Sequence, residues 1–247
     1  MSTTATSSGL ALKLRTRHEV AEGTMAFQFE KPPGWNFKPG QFIDMALINP
    51  KETDAEGNSR TFSIASAPYE DALLIATRMR DTAFKRVLKT MPLESQVEIQ
   101  GRPSGEFTLH DNPSRPAVFL AGGIGITPFR SMVLQAAKEK LPHHIFLFYS
   151  NRRPEDAAFL EELGSLEYEN PNYKLIPTMT EMAKSKDHWN GECEEISQEM
   201  LARYLKAVPS AIYYIAGPPA MVKGLHTMLN GSGIGDGAIR AEEFDGY

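Results

Sequence analysis

The chain has 247 residues, of which 41% are hydrophobic and 23% charged, and its formal net charge is −5 at pH 7. This composition is typical of a globular protein of one or two domains, and it disfavours nucleic acid as a partner because phosphate binding needs clustered Lys and Arg. No apolar run reaches the roughly 18–20 residues of a membrane span, and the Ser/Thr-rich start lacks the apolar core of a signal peptide. We therefore expect a cytoplasmic protein with a disordered N-terminus over residues 1–9.

Cysteine and histidine content argues against a metal centre. Cys193 is the single cysteine, so neither an internal disulfide nor a four-thiolate iron–sulfur cluster can form. The six histidines are scattered, and the adjacent pair His143 and His144 points apart on a regular element. We predict no metal site.

The first half of the chain has the pattern of short antiparallel strands. Apolar or alternating runs are separated by Pro, Gly and Asn, which favours a β-barrel. One segment, Thr82–Met91, instead places its apolar residues on one face of a helix. The predicted strands are Leu10–Leu14, Met25–Phe29, Phe42–Leu47, Leu73–Thr77 and Val97–Gln100.

After residues 110–113 the pattern changes to strands that alternate with helices. Continuous apolar strands in this order predict a doubly wound parallel sheet covered by helices on both faces. We place the domain boundary so that a β-barrel domain (10–112) precedes an α/β domain (113–247). The predicted strands are Ala117–Ala121, Ile145–Tyr149, Lys174–Pro177 and Ile212–Ala216, and the predicted helices lie near 128–140, 155–163, 197–206 and 219–230.

A glycine-rich turn follows the first α/β strand, where open parallel sheets bind ligands. It contains Gly122, Gly123 and Gly125, and Thr127 can cap a helix that begins at Pro128. Free N–H groups at that helix start would attract the pyrophosphate of a dinucleotide. The third glycine of the usual fingerprint is missing, so a plain strand–helix turn is the alternative.

A second turn of small residues follows the strand Ile212–Ala216. It repeats the strand, turn and helix arrangement, and its alternative interpretation is a rigid turn with proline at the helix start. Its candidate dinucleotide-binding residues are Gly217, Pro218, Pro219 and Met221.

The segment Arg60-Thr61-Phe62-Ser63-Ile64-Ala65-Ser66 resembles the Arg-x-Tyr-Ser flavin motif of the ferredoxin–NADP reductase superfamily. Residues 39–42, which precede this segment, and the two small-residue turns, which come after it, match that family's order and spacing. The resemblance implies an NAD(P)H-dependent flavoprotein reductase, which passes a hydride from nicotinamide to flavin N5 and electrons to a separate acceptor. Residues 101–107 resemble the segment that closes the flavin domain, which implies FAD rather than FMN.

The resemblance also assigns roles to individual residues. Arg60 would pair with the flavin pyrophosphate, which suits a planar guanidinium, and Ser63 would lie beside flavin N5. Glu242 would lie near the nicotinamide carboxamide or a proton path, and Phe244 or Tyr247 would cover the flavin face. Ser63, Glu242 and Phe244 are the predicted catalytic residues. A disordered acidic tail is the alternative for residues 242–247.

Further cofactor-binding residues are expected next to these positions. Four departures from the family pattern also stand out: Phe62 replaces tyrosine, Thr82 replaces glycine, Lys85 replaces serine or threonine, and Ala216 replaces cysteine. Lys85 would add charge to the pyrophosphate site or face solvent. The remaining predicted cofactor-binding residues are Thr61, Phe62, Ile64, Ser66, Thr77, Arg78, Met79, Ala83, Phe84, Lys85 and Arg152.

The nucleotide and the acceptor are less constrained. Glu181 would repel a 2′-phosphate and favours NADH over NADPH, whereas Arg152 and Arg153 would bind that phosphate or remain solvated. A fused ferredoxin domain would need four more cysteines, so we expect a separate ferredoxin, a haem protein or a small molecule as acceptor. Two other functions stay open: a non-catalytic flavin or nucleotide sensor, which Phe62 and Ala216 would favour, and an electron-transfer subunit of a larger complex.

Overall fold

The computed structural model describes residues 9–206 and 210–244. The predicted disorder over residues 1–9 falls outside this range except for Gly9. Within it, an antiparallel sheet is followed by a parallel sheet, as the sequence predicts. No helix in these two stretches is long and apolar enough to cross a membrane.

The antiparallel sheet has six strands in the order β4-β3-β6-β1-β2-β5 and is barrel-like. Alternate side chains of its strands point inward, and Leu12, Phe27, Met45 and Ile75 are at most 1% exposed. The elements are β1 (Leu10–Ala21), β2 (Thr24–Glu30), β3 (Phe42–Leu47), β4 (Ser59–Ser63), β5 (Ala72–Arg78), α1 (Ala83–Thr90) and β6 (Gln96–Ser104).

All five strands predicted for the first half are present, and the sequence missed only β4. Three of its five residues are polar and not buried, so β4 lacks the apolar alternation of a half-buried strand. Helix α1 lies within the predicted segment Thr82–Met91, and Thr82 is its N-cap, because the Thr82 hydroxyl accepts a hydrogen bond from the Lys85 N–H at 3.3 Å.

The parallel sheet has five strands in the order β11-β10-β7-β8-β9. Strand β7 is entirely buried, as expected for the centre of a sheet with helices on both faces. The elements are β7 (Ala117–Gly122), α2 (Ile126–Glu139), β8 (Ile145–Asn151), α3 (Leu160–Glu169), β9 (Tyr173–Met179), α4 (Gln198–Tyr204), β10 (Ile212–Gly217), α5 (Pro219–Gly231) and β11 (Ile239–Glu243).

The structure corrects two helix starts. The helix predicted near 155–163 begins only at Leu160, because residues 154–156 form a 3₁₀ turn and Phe159 has a φ of 61°, in the left-handed region. The helix predicted from Pro128 begins at Ile126, directly after a 3₁₀ turn over Gly123–Gly125. Thr127 therefore lies inside α2 and does not cap it: its hydroxyl donates to the Ile124 carbonyl at 3.1 Å.

The connection between the two sheets is fastened to β10. The Tyr214 hydroxyl accepts a hydrogen bond from the His110 backbone N–H at 2.9 Å and lies 3.0 Å from His110 Nδ1. His110 Nε2 lies 2.8 Å from the Arg115 carbonyl oxygen, so a proton on Nε2 satisfies both ring nitrogens. The last strand of the antiparallel sheet ends at Ser104, and the first strand of the parallel sheet begins at Ala117. The exact domain boundary at 112/113 stays a prediction.

Candidate active site

A cleft of about 720 Å³ lies between the two sheets. Strand β4, the end of β5, the start of α1, the glycine-rich turn and the end of β11 all contribute side chains. Ten predicted site residues line it: Arg60, Thr61, Phe62, Ser63, Thr77, Arg78, Lys85, Thr127, Glu242 and Phe244. Seven further residues line it that the sequence did not single out as site residues: Phe42, Glu56, Ala76, Arg80, Thr82, Ile124 and Glu243.

At one end of the cleft, Ser63 and Glu242 meet although they are 179 residues apart in the chain. The Ser63 hydroxyl donates to Glu242 Oε2 at 3.5 Å, a long hydrogen bond. Burial raises the pKa of Glu242 to about 7, against the smaller opposing effect of the Ser63 hydrogen bond. A carboxyl group with this pKa can both hold and release a proton near neutral pH.

Strand β11 brings Glu242 to the cleft. It pairs in parallel with β10, which places Glu242 opposite Ala216, and the Phe244 N–H donates to the Gly217 carbonyl at 3.0 Å. The disordered-tail alternative for residues 242–247 is therefore wrong for Glu242 and Glu243, which belong to β11. Tyr247 lies outside the described residues.

The opposite end of the cleft is rich in cations. Arg60, Arg78, Arg80 and Lys85 all line it, beside the N-terminus of α1. Burial lowers the pKa of Lys85, and the nearby Arg80 and Arg60 lower it further. Neither Arg80 nor Lys85 forms an ion pair within the described ranges, whereas the guanidinium of Arg60 is bound by Asp54 at 3.0 Å and Glu56 at 2.8 Å.

The two small-residue turns follow β7 and β10, which are neighbours in the sheet. A Cβ on Gly125 would lie 2.2 Å from the Ala216 carbonyl oxygen, and one on Gly122 would lie 2.2 Å from the Met221 sulfur. A Cβ on Gly217 would lie 3.2 Å from the backbone of Gly122, a tight contact. Gly125 is thus required for packing between the turns, whatever they bind, because a Cβ there would overlap backbone atoms. Strand β8 lies on one side of β7 and β10 lies on the other, so the strand order reverses at β7. Open α/β sheets bind ligands at such a switch point.

Several predicted site residues have packing or backbone roles in the structure. Ile64 and Phe84 are buried in the barrel core, and Met79 packs against it. The Ser66 hydroxyl accepts a hydrogen bond from the Leu74 N–H at 3.0 Å. The predicted residues whose side chains do not line the cleft are Ile64, Ser66, Met79, Ala83, Phe84, Gly122, Gly123, Gly125, Pro128, Arg152, Gly217, Pro218, Pro219 and Met221.

The residues considered for nucleotide choice pair with each other. Glu181 Oε2 lies 2.6 Å from Lys184 Nζ, and its other oxygen lies 3.7 Å from Arg152 Nε. These partners lower the pKa of Glu181, through the Lys184 hydrogen bond first. Arg153 is engaged by Asp156 at 2.9 Å, so Arg152 is the more accessible arginine, with a side chain 67% exposed.

A second cleft, of about 1290 Å³, adjoins the first. Phe42 and Glu242 line both clefts, so these two side chains stand between them. The wider cleft is also lined by His110, His143 and Arg240. Glu242 therefore borders both clefts.

The site residues can be tested against a flavin dinucleotide. Phe62 and Phe42 offer apolar surface, Ser63 and Glu242 offer polar atoms at one end, and the cations offer a diphosphate site at the other. The donor set fits such a group, except that Asp54 and Glu56 already engage Arg60. A barrel, a parallel sheet with a switch point and a cleft between them form an architecture that can bind a dinucleotide.

Comparison with known proteins shows which oxidoreductases the chain is similar to. Residues 119–227 match the model of the oxidoreductase NAD-binding domain. The reductase subunit of the glycine betaine monooxygenase of Chromohalobacter salexigens is 26% identical over 225 residues, which cover 90% of this chain and 60% of the relative. Component C of the methane monooxygenase of Methylosinus trichosporium is 33% identical over 138 residues, which cover 55% of this chain and 38% of the relative.

The fold has a close structural counterpart. A ferredoxin–NADP⁺ reductase of Neisseria gonorrhoeae, with bound FAD and NADP, superposes with a TM-score of 0.78 at 20% identity, over 96% of this chain and 99% of that one. This likeness shows the fold, and together with the NAD-binding match over residues 119–227 it agrees with the resemblance to the ferredoxin–NADP reductase superfamily. The chain spans 60% and 38% of the lengths of the two sequence relatives.

Proposed function

We propose that the chain is an FAD-dependent NAD(P)H reductase that takes electrons from a nicotinamide nucleotide and passes them to a separate acceptor. The observation that carries the proposal is the meeting of Ser63 and Glu242 in a cleft whose other end is cationic. A flavin bound there would supply the two-electron chemistry. The chain's residues would orient the reactants and control protons.

Each predicted catalytic residue has a defined part in this proposal. Ser63 supplies a buried hydroxyl at the reacting end, and Glu242 holds or releases a proton, because its pKa lies near 7. Phe244, tethered through its backbone to Gly217, would cover the cleft with its aromatic side chain. Arg60, Arg80 and Lys85 supply the charge for a diphosphate.

The dinucleotide would bind at the C-terminal ends of β7 and β10. Thr127 and Ile124 face the cleft from the glycine-rich turn, which supports this location. We propose NADH as the preferred donor, since Glu181 adds a carboxylate beside Arg152 and reduces that arginine's attraction for a 2′-phosphate. The domain division at 112/113 belongs to the same proposal.

The relatives' names suggest the acceptor class. Both are parts of monooxygenases, and one is named as the reductase subunit, so we propose that this chain delivers electrons to a separate redox protein of an oxygenase system. A ferredoxin, a haem protein and a small molecule remain the alternative acceptors.

An anaerobic visible spectrum of the purified protein tests the proposal. We expect a flavin spectrum that bleaches on addition of NADH and bleaches more slowly with NADPH. A flavin that neither nucleotide reduces would support the sensor alternative. A protein that cannot be reconstituted with FAD or FMN would refute the reductase.

A further inference from the structure

Asp54 binds two groups that a flavin diphosphate would need. One carboxylate oxygen lies 3.0 Å from Arg60 Nη2, and the other accepts a hydrogen bond from the Ala83 N–H at 3.1 Å. Ala83 is the first residue of α1, so its N–H is one of the donors that a helix start leaves without a helical partner. A guanidinium and a helix N-terminus are typical ligands of phosphate, and here a carboxylate of the chain holds both.

The segment that carries Asp54 is held in place by other contacts. Asp54 Oδ1 also accepts a hydrogen bond from the Glu56 N–H at 3.1 Å, and Glu56 adds its own ion pair to Arg60 at 2.8 Å. Glu52 binds Arg86 of α1 through both carboxylate oxygens, at 2.6 Å for the shortest contact. These contacts hold the Asp54 carboxylate against α1.

The negative charge of Asp54 prevents this carboxylate and a diphosphate from binding Arg60 and the Ala83 N–H at the same time. A carboxylate about 3 Å from the same donors would repel a diphosphate strongly in a partly buried site, and each N–H can satisfy only one strong acceptor well. The hydrogen bonds to Arg60 and Ala83 lower the pKa of Asp54 in spite of its partial burial, so the side chain stays ionised at neutral pH.

We propose that Asp54 is an intramolecular competitor for the diphosphate site and thereby sets the affinity of the chain for flavin dinucleotide. This inference rests on the proposed flavin-binding function. FAD binds only when the Asp54 carboxylate leaves Arg60 and Ala83, so its apparent affinity is reduced by the fraction of molecules in which the site is open. Riboflavin has no phosphate, and Asp54 does not affect its binding.

Titration of the apoprotein with FAD and with riboflavin, followed by flavin fluorescence, tests the proposal. The variant Asp54→Asn keeps an acceptor for the Ala83 N–H and removes the negative charge. We expect FAD to bind at least ten-fold more tightly than to the wild type, with riboflavin affinity unchanged. Asp71→Asn, an exposed turn residue, controls for net charge and leaves both affinities unchanged.

The outcomes separate this inference from the proposed function. If the wild type binds FAD and Asp54→Asn binds it no more tightly, Asp54 is not a competitor, although the reductase proposal stands. Equal tightening of FAD and riboflavin would also overturn the inference, because the effect would not involve phosphate. If neither flavin binds either protein, both the inference and the proposed function are wrong. A thermal transition of Asp54→Asn like that of the wild type establishes that the variant is folded.

Discussion

At the scale of single residues, the environment of each side chain decides its chemistry. Glu242 and Glu243 are neighbours on β11, yet Glu242 reaches Ser63 and is largely buried, while Glu243 is exposed. Burial raises the pKa of Glu242 to about 7. Sequence identifies the carboxylate, but its position in the cleft gives it a neutral-range pKa.

Replacement of Ser63 tests the reacting end of the cleft. Ser63→Ala removes the hydroxyl that donates to Glu242, so we expect flavin still to bind and the rate of its reduction by NADH to fall about ten-fold, or roughly 1.4 kcal/mol in barrier. The pH profile of that rate should shift upward, since loss of the hydrogen bond raises the Glu242 pKa further. Stopped-flow absorbance measures both effects. Ser59→Ala, on the same strand but outside the cleft, is the control, and an unchanged rate for Ser63→Ala would remove Ser63 from the reaction.

Glu242→Gln tests the raised pKa through stability. Between about pH 4.5 and 7 the folded wild type binds more protons at this group than the unfolded chain does, so Glu242 costs stability as the pH rises through this range. Glutamine does not titrate, so we expect Glu242→Gln to gain on the order of 1–2 kcal/mol relative to wild type between pH 5 and pH 8. Urea unfolding at both pH values measures the difference. Glu243→Gln serves as control, and parallel curves for wild type and Glu242→Gln would contradict the raised pKa.

At the scale of elements, the loops that follow neighbouring strands bring together the residues considered for nucleotide choice. Glu181 follows β9 and pairs with Arg152, which follows β8, because the two strands are neighbours in the sheet. The sequence treats this carboxylate and this arginine as opposing indicators of nucleotide choice. The structure joins them in one ion pair, so each modifies what the other can bind.

The variant Glu181→Gln separates the effect of Glu181 on nucleotide choice from that of Arg152. It releases Arg152 and Lys184 from their carboxylate partner, so we expect the ratio of kcat/KM for NADPH to that for NADH to rise about two- to five-fold, a small effect because the ion pairs are exposed to solvent. Steady-state kinetics with both nucleotides measure the ratio. Glu194→Gln removes an exposed carboxylate paired with Arg203 and should leave the ratio unchanged. The same ratio in both variants would exclude Glu181 from the nucleotide site.

At the scale of the whole molecule, helix α2 joins the two sheets. Arg130, with a side chain only 6% exposed, binds Glu162 of α3 at 2.6 Å and reaches Glu70 of the barrel at 3.0 Å. It also donates to the Ala65 carbonyl at 2.7 Å, and the next residue, Ser131, donates to the Ser66 carbonyl at 2.7 Å. The strand end that carries Ser63 is therefore tied to the nucleotide-binding half.

Loss of Arg130 should destabilise this junction. Arg130→Met leaves Glu70 and Glu162 without their buried cation, so we expect a loss of about 3 kcal/mol in the free energy of unfolding. Arg15→Gln removes an exposed arginine with ion pairs to Glu30 and Glu94 and should cost less than about 1 kcal/mol. Urea titration of both variants makes the comparison. Equal losses of unfolding free energy in the two variants would show that the burial of Arg130 adds nothing to stability.

The sequence by itself determined the order of an antiparallel sheet and a parallel sheet, most of their strands and the main motifs, because local periodicity and turn residues report local structure. It missed β4 and β11, which lack an apolar pattern and form because neighbouring strands pair with them. Only the tertiary structure brought Glu242 to Ser63 and Asp54 to the Ala83 N–H, since such contacts depend on how distant segments pack. The composition of the loop around Asp54 gave no signal of the helix start that this carboxylate meets, because that contact exists only in the folded chain.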